Sequence, residues 1–380
     1  MAAACSPPAA SGRRTAIPGP PGAALLSARP KAQVYFEGGV RHHRPPGPST
    51  SPPISRRKRV GMTQTNLARP QGLTRIDPVL RDTAAQLGVV EFRAETLAAE
   101  REHANRLAAQ RAASADTRGV AIDSVSIAGP DGQPLELRLY RGHTESAAPL
   151  LVYAHGGAFV TGNLATDHAH CVELARDGGC LVVSVDYRLA PENPCPAALD
   201  DVEAAFRYVV DNSAALNADA NRIAVMGRDA GAALVAGLTQ RMFDQEGPTI
   251  LMQILHQPML DSDATPSRRE FQRTPGLNGP AVSRAWNHYL GHASASGQHV
   301  PAHRANLEGL PPTFISCSEI DPCRDEAIDY ANRLLHAYVH TELHVIAATF
   351  NGFDSMVPDW IVAQENRALH AQALRRVFAM

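Results

Sequence analysis

A chain of 380 residues with 44% hydrophobic content is long enough to bury one large core with appendages, and nothing in it suggests a fibrous protein. Lysine and arginine total 36 against 38 acidic residues, a net charge of −2, so no broad field draws the chain to nucleic acid or an anionic membrane. The partner this leaves is a small neutral or weakly charged ligand.

The first sixty residues are rich in Pro, Gly, Ala and Arg ("IPGPPGAALLSARP", "HHRPPGPSTSPPISRRKRV") and carry no apolar period. Such composition cannot offset its ordering entropy, so residues 1–61 are expected to be a disordered tail. Met62 then opens "MTQTNLARPQG", which reads as an ordinary protein start. The upstream piece is therefore expected to come from an over-called translation start. From Asp77 to Ala113 apolar residues recur at three- and four-residue steps (Leu80, Ala84, Leu87; Leu97, Ala104, Leu107), the mark of amphipathic helices that need a surface to cover. Residues 62–118 are read as an N-terminal cap segment.

Residues 119–380 are read as the main domain. "AIDSVSI" and "LELRLYR" alternate as strands around the turn "PDGQ", and "PLLVYA" runs into "HGGAF". Next come the strand "CLVVSVDY", the helix "AALDDVEAAFRYVVDN", the strand "RIAVMG", the helix "AGAALVAGLTQRMF" and the strand "TILMQILHQ". Residues 261–308 break this rhythm and hold a patchy helical segment, expected as a cap insertion over the carboxyl edge of the sheet. The alternation resumes with "PPTFISCSEID", the helix "DEAIDYANRLLHAYV", the strand "TELHVIAA" and a last helix ending near Phe378. Continuous apolar strands separated by helices predict an α/β fold with a mostly parallel central sheet covered on both faces.

The six cysteines (Cys5, Cys171, Cys180, Cys195, Cys317, Cys323) show no CxxC spacing, and no stretch resembles a secretory apolar core or a bilayer-spanning run. A cytoplasmic location is the expectation. The pairs His42/His43 and His168/His170 fall in no metal-binding pattern and read as surface histidines; no metal or cofactor is assigned.

The chemistry concentrates in four stretches. In "HGGAF", two glycines after a strand let adjacent N–H groups face outward, where they stabilise negative charge on a carbonyl oxygen. Gly156 and Gly157, with the N–H of Ala230, are the expected donors. In "GRDAG", Gly227 and Gly231 bracket a tight strand-to-helix bend that presents Asp229 at a helix N-terminus. The donors and the helix end are expected to lower the Asp229 pKa. Asp321, between a strand and a helix, also suits an N-cap. Arg228 is expected in a solvent-facing salt bridge.

Together "HGGAF" (155–159), "DYRLAPENPCPAALDD" (186–201), "SEIDPCRDEA" (318–327) and "TELHVIAATFNGFDS" (341–355) make the chain resemble the hormone-sensitive-lipase branch of the α/β-hydrolase superfamily, over roughly residues 78 to 378. The resemblance implies an α/β-hydrolase fold with a helical cap and a catalytic triad of elbow serine, acid and histidine. It also sets Asp229 where the serine belongs, Asn351 where the histidine belongs and Asp321 at the acid. Asn351 is expected to donate one N–H to Asp321 and the other towards Asp229. The nearest alternative bases, His344 and His256, read as packing residues.

Three functions follow. One is a carbonyl- or ester-handling enzyme that uses Asp229 with the glycine loop. Another is a ligand-binding protein without catalysis. The last is a residual carboxylic ester hydrolase. Ligand identity and oligomeric state stay open at this level.

Overall fold

The structure, a computed structural model, describes residues 73–143 and 146–379. The expected tail 1–61, with His42/His43, and the start of the cap segment lie outside the described residues. Eight strands form one sheet in the order β1-β2-β4-β3-β5-β6-β7-β8: β1 (Ala121–Ala128), β2 (Pro134–Arg141), β3 (Ala148–Ala154), β4 (Leu181–Val185), β5 (Ala218–Arg228), β6 (Met252–His256), β7 (Thr313–Ile320) and β8 (Thr341–Phe350). β2 runs antiparallel to β1 and β4, and every other pairing is parallel. All eight are the strands read from the sequence.

Ten helices are described: α1 (Pro78–Gln86), α2 (Leu97–Ala113), α3 (His168–Gly178), α4 (Ala197–Asp211), α5 (Ala230–Asp244), α6 (Pro266–Glu270), α7 (Gly279–Leu290), α8 (Arg324–His336), α9 (Phe353–Met356) and α10 (Ile361–Phe378). Period-two alternation sends strand residues to opposite faces. Leu150, Val152, Val183 and Val225 pack with Val202, Leu234 and Tyr330 of α4, α5 and α8. Leu151, Tyr153, Val182 and Met226 pack with Leu174 and Leu374 of α3 and α10. Both faces are therefore dry, which is why the central strands read as unbroken apolar runs. The helix α3 had no expectation attached to it, and His168 and His170 on it are buried rather than surface residues. Their rings find partners inside: Tyr140 Oη lies 3.0 Å from His168 Nδ1, and His370 Nδ1 lies 3.3 Å from His170 Nε2.

The two expected cap segments meet each other. Asn278 Nδ2 donates to the Val90 carbonyl at 2.9 Å, Arg284 to that of Glu91 at 2.5 Å, and His288 Nε2 lies 2.8 Å from the Phe92 carbonyl oxygen. From α7, Tyr289 stacks on Phe159 with centroids 4.0 Å apart, and Trp286 lies 4.9 Å from the same ring. The insertion thus rests on the loop that follows β3. Among the described residues no helix is long and apolar enough to cross a membrane.

Candidate active site

The chain turns from β5 into α5 at Asp229, whose φ of 55° and ψ of −120° lie in a region that costs a non-glycine residue about 1–3 kcal/mol. Its neighbours lock that turn. The Asp229 N–H donates to the His256 carbonyl at 2.9 Å, and the Asp229 carbonyl accepts from Met259 N at 3.1 Å. The flanking glycines are required by close approach: a Cβ on Gly227 would sit 2.2 Å from the Gly231 carbonyl oxygen, and one on Gly231 would sit 2.1 Å from that of Ala154.

Asp229 is 6% exposed. Its Oδ2 accepts hydrogen bonds from Gly157 N at 3.0 Å and Ala158 N at 2.7 Å, and its Oδ1 is buried with no partner. Gly156 behaves differently from expectation, since its N–H donates to Asp167 Oδ2 at 2.9 Å. The outward-facing pair is therefore Gly157 and Ala158, one residue further along, with the Ala230 amide adding to the same carboxylate. Asp229 itself fills this nest of donors.

Burial raises the Asp229 pKa, and the amides of Gly157, Ala158 and Ala230 together with the Arg228 charge do not overcome it. The expected lowering is thus reversed. The sequence placed the favourable dipoles correctly, but the desolvation opposing them comes from elements far apart along the chain.

Asn351 follows β8 directly and is 8% exposed. Its Nδ2 donates to Asp321 Oδ2 at 3.0 Å, and Asp321 Oδ1 accepts from Cys323 N at 2.8 Å, just ahead of α8. The second expected bond, from Asn351 to Asp229, is not formed among the described residues; Asp229 Oδ1 is left alone instead. Asp321 is fully buried, and that burial, reinforced by the negative charge of Asp229, pushes its pKa up to about 7.

Neither alternative histidine reaches the elbow. His344 Nε2 lies 2.8 Å from Glu342 Oε1, and its ring stacks on Phe314. His256 follows Ile254 to the α3/α10 face, its two nitrogens 2.8 Å from Ser316 Oγ and 2.8 Å from Asp354 Oδ2.

Arg228 is not the solvent-facing cation expected. Its side chain is 12% exposed and meets Asp167, 3% exposed, at 2.7 Å, while also donating to Ser355 Oγ at 2.7 Å. Burial alone would raise the Asp167 pKa, but the Arg228 charge and the Gly156 N–H win and hold it low. Asp167 went unnoticed in the sequence because no short-range pattern marks it; its signal is the need of a buried Arg228 for a counter-charge. Tyr187, in "DYRLAPE", braces the same loop by donating to the His155 carbonyl at 2.8 Å and stacking on the His155 ring at 4.2 Å. A cavity of about 530 Å³ opens beside the Arg228–Asp167 pair, lined by Asp167, His170, Glu173, Asp354, Ser355 and Arg367 among others, but Asp229 is not in its wall. It is therefore distinct from the elbow.

Comparison with known proteins gives the same picture of ancestry. A family model described as the alpha/beta hydrolase fold matches residues 151–355. The chain is 37% identical over 239 residues to the esterase LipI of Mycobacterium tuberculosis, spanning 61% of this chain and 74% of that one. It is 39% identical over 202 residues to the carboxylesterase NlhH of the same organism, spanning 51% of this chain and 63% of that one. Among solved structures, esterase LipW from Mycobacterium marinum superposes with a TM-score of 0.77 at 45% identity, covering 82% of this chain and 98% of that one. A bacterial heroin esterase gives a TM-score of 0.77 at 34% identity, covering 80% and 99%.

Proposed function

Because this chain belongs to the hormone-sensitive-lipase-like carboxylesterase branch of the α/β hydrolases, we propose that it receives a small ester- or carbonyl-like molecule at the elbow without running serine-type ester hydrolysis. The observation that carries this reading is the seat of Asp229 Oδ2, on the N–H groups of Gly157 and Ala158. In acyl transfer such donors receive the oxyanion, and losing one costs about 10²–10³ in kcat. Here they are occupied, and the resident carboxylate repels any second anion. Asn351 compounds the loss, since a carboxamide takes no proton near neutral pH. The sequence reading that reserved these donors for a substrate oxygen is thereby disfavoured against ligand binding.

A second reading keeps catalysis. The unpartnered Oδ1 and the raised pKa of Asp229 suit a proton acceptor, which would exchange the α-protons of a bound ketone with solvent deuterium. Among the described residues the five cysteines are free and buried, which suits the cytoplasmic location expected from the sequence.

The test is hydrolysis of p-nitrophenyl butyrate. The native chain is expected to release no nitrophenol above buffer, and turnover abolished by Asp229→Ala would overturn the proposal. The double change Asp229→Ser with Asn351→His is expected to create ester hydrolysis by restoring nucleophile and base on an intact frame.

A further inference from the structure

A hydrogen-bonded chain of buried groups begins and ends in the wall of the cavity beside the Arg228–Asp167 pair. His170 Nε2 lies 3.3 Å from His370 Nδ1, His370 Nε2 3.0 Å from Ser316 Oγ, Ser316 Oγ 2.8 Å from His256 Nδ1, and His256 Nε2 2.8 Å from Asp354 Oδ2. Its two ends, His170 and Asp354, both line the cavity. We propose that this cavity binds a small zwitterion of the apolar α-amino acid class, with the ammonium on His170 Nδ1 and the carboxylate on Arg111. The site is separate from the elbow and independent of the function read there.

Hydrogen counting gives His170 its role. A carboxylate has no hydrogen to give, so His256 Nε2 donates to Asp354. With the three imidazoles neutral, His256 Nδ1 then accepts the single hydroxyl hydrogen of Ser316, His370 Nε2 donates to Ser316 Oγ, and His170 Nε2 donates to His370 Nδ1. Burial favours that neutral state, lowering the pKa of His170 to about 3 and that of His370 well below the usual imidazole value. The lone pair left over is on His170 Nδ1. His170 is 8% exposed, and its Nδ1 makes no hydrogen bond among the described residues, yet unlike Asp354 Oδ1 it is not sealed from solvent. It is an acceptor at the wall, which is what an ammonium needs.

Charge points the same way. Six carboxylates and three guanidiniums line the cavity, and the surplus attracts a cation. Of the guanidiniums, Arg176 pairs with Asp177 and Arg367 with Glu173. Arg111 has no ion pair or side-chain hydrogen bond among the described residues. Burial and the neighbouring Arg228 charge lower its pKa, so a ligand carboxylate there balances an uncompensated charge with charge-assisted hydrogen bonds. Elsewhere in the wall Ala112, Ala169, Leu174 and Ala371 offer apolar surface, and the volume of about 530 Å³ falls in the range of small-molecule sites.

The experiment titrates the full chain with L-leucine in a calorimeter at about pH 8, where free imidazole is neutral and the leucine ammonium is charged. Two analogues run in parallel: 4-methylpentanoate, which lacks the ammonium, and 3-methylbutylamine, which lacks the carboxylate. Expected is one leucine per chain, with each analogue weaker by about tenfold or more, the loss of one charge-assisted contact. Arg111→Gln, its fold checked by circular dichroism, is expected to lose leucine affinity by the same factor while binding 3-methylbutylamine as the native chain does. Nuclear magnetic resonance of the native chain is expected to show the His170 imidazole signals moving as leucine is added. No heat at about 10 mM leucine, an analogue that binds as tightly as leucine, undiminished leucine binding by Arg111→Gln, or His170 signals that stay in place overturns the inference.

Discussion

At Asp229 and Asp321 burial and hydrogen bonding pull proton affinity in opposite directions, and burial wins at both. For Asp321 the consequence for stability has a definite sign. Its folded pKa of about 7 stands above the ordinary 3.8, so between roughly pH 4 and 7 the folded chain holds a proton that the unfolded chain has released. Its contribution is most favourable below that window and is lost as pH rises through it, on the order of 4 kcal/mol in all. Asp321→Asn carries no charge at any pH. Urea midpoints of the variant relative to the native chain are expected to climb from about pH 4 to about pH 7 and level off above; a difference that stays flat would mean Asp321 is ionised throughout. The places of Asp229, Asp321 and Asn351, at the bend after β5, just past β7 and just past β8, were legible because motif spacing fixes them. Their proton affinities were not, because desolvation is summed over β3, β5, β7 and β8 at once.

Among the elements, α5 and β3 show how closely packing constrains sequence. Gly231 faces the Ala154 and His155 carbonyl oxygens, at 2.1 and 2.4 Å from where a Cβ would sit, whereas Gly237 of the same helix would meet only Leu199 side-chain carbons at 3.4 and 3.5 Å. Gly231→Ala is expected to lower unfolding free energy by about 3 kcal/mol through forced separation of helix and strand. Gly237→Ala should change it by no more than about 1 kcal/mol, with helix propensity in its favour. Equal losses for the two in urea titrations would show that the elbow is not tightly packed. Apolar runs made the strands legible, and glycine spacing marked the bend. The helix α3 escaped because His168, His170 and Cys171 face inward, where titratable residues blur the apolar stripe by which a helix is recognised.

Across the described residues, segments far apart in the sequence are joined around the loops that follow β3 and β4. Arg101 of α2 donates to the Ala190 carbonyl at 2.6 Å and pairs with Glu192 at 2.6 Å, while α7 meets the chain near Val90 and rests on Phe159. With such ties the cap segments should not come away first. In a Trp360→Phe variant, Trp286 fluorescence and far-ultraviolet circular dichroism are expected to change together in urea; fluorescence loss at lower urea would reveal a separately unfolding cap. The sequence by itself determined the α/β alternation, the order of strands along the chain, the place of the elbow and the presence of Asp229 and Asn351 at the motif positions, since periodicity and motif spacing are local properties. Only the tertiary structure decided that Asp229 sits in its own donor nest, that Gly156 serves Asp167, that Arg228 is buried and that one carboxylate oxygen is left bare. Those outcomes depend on which distant groups share a small dry volume, and no local pattern records that.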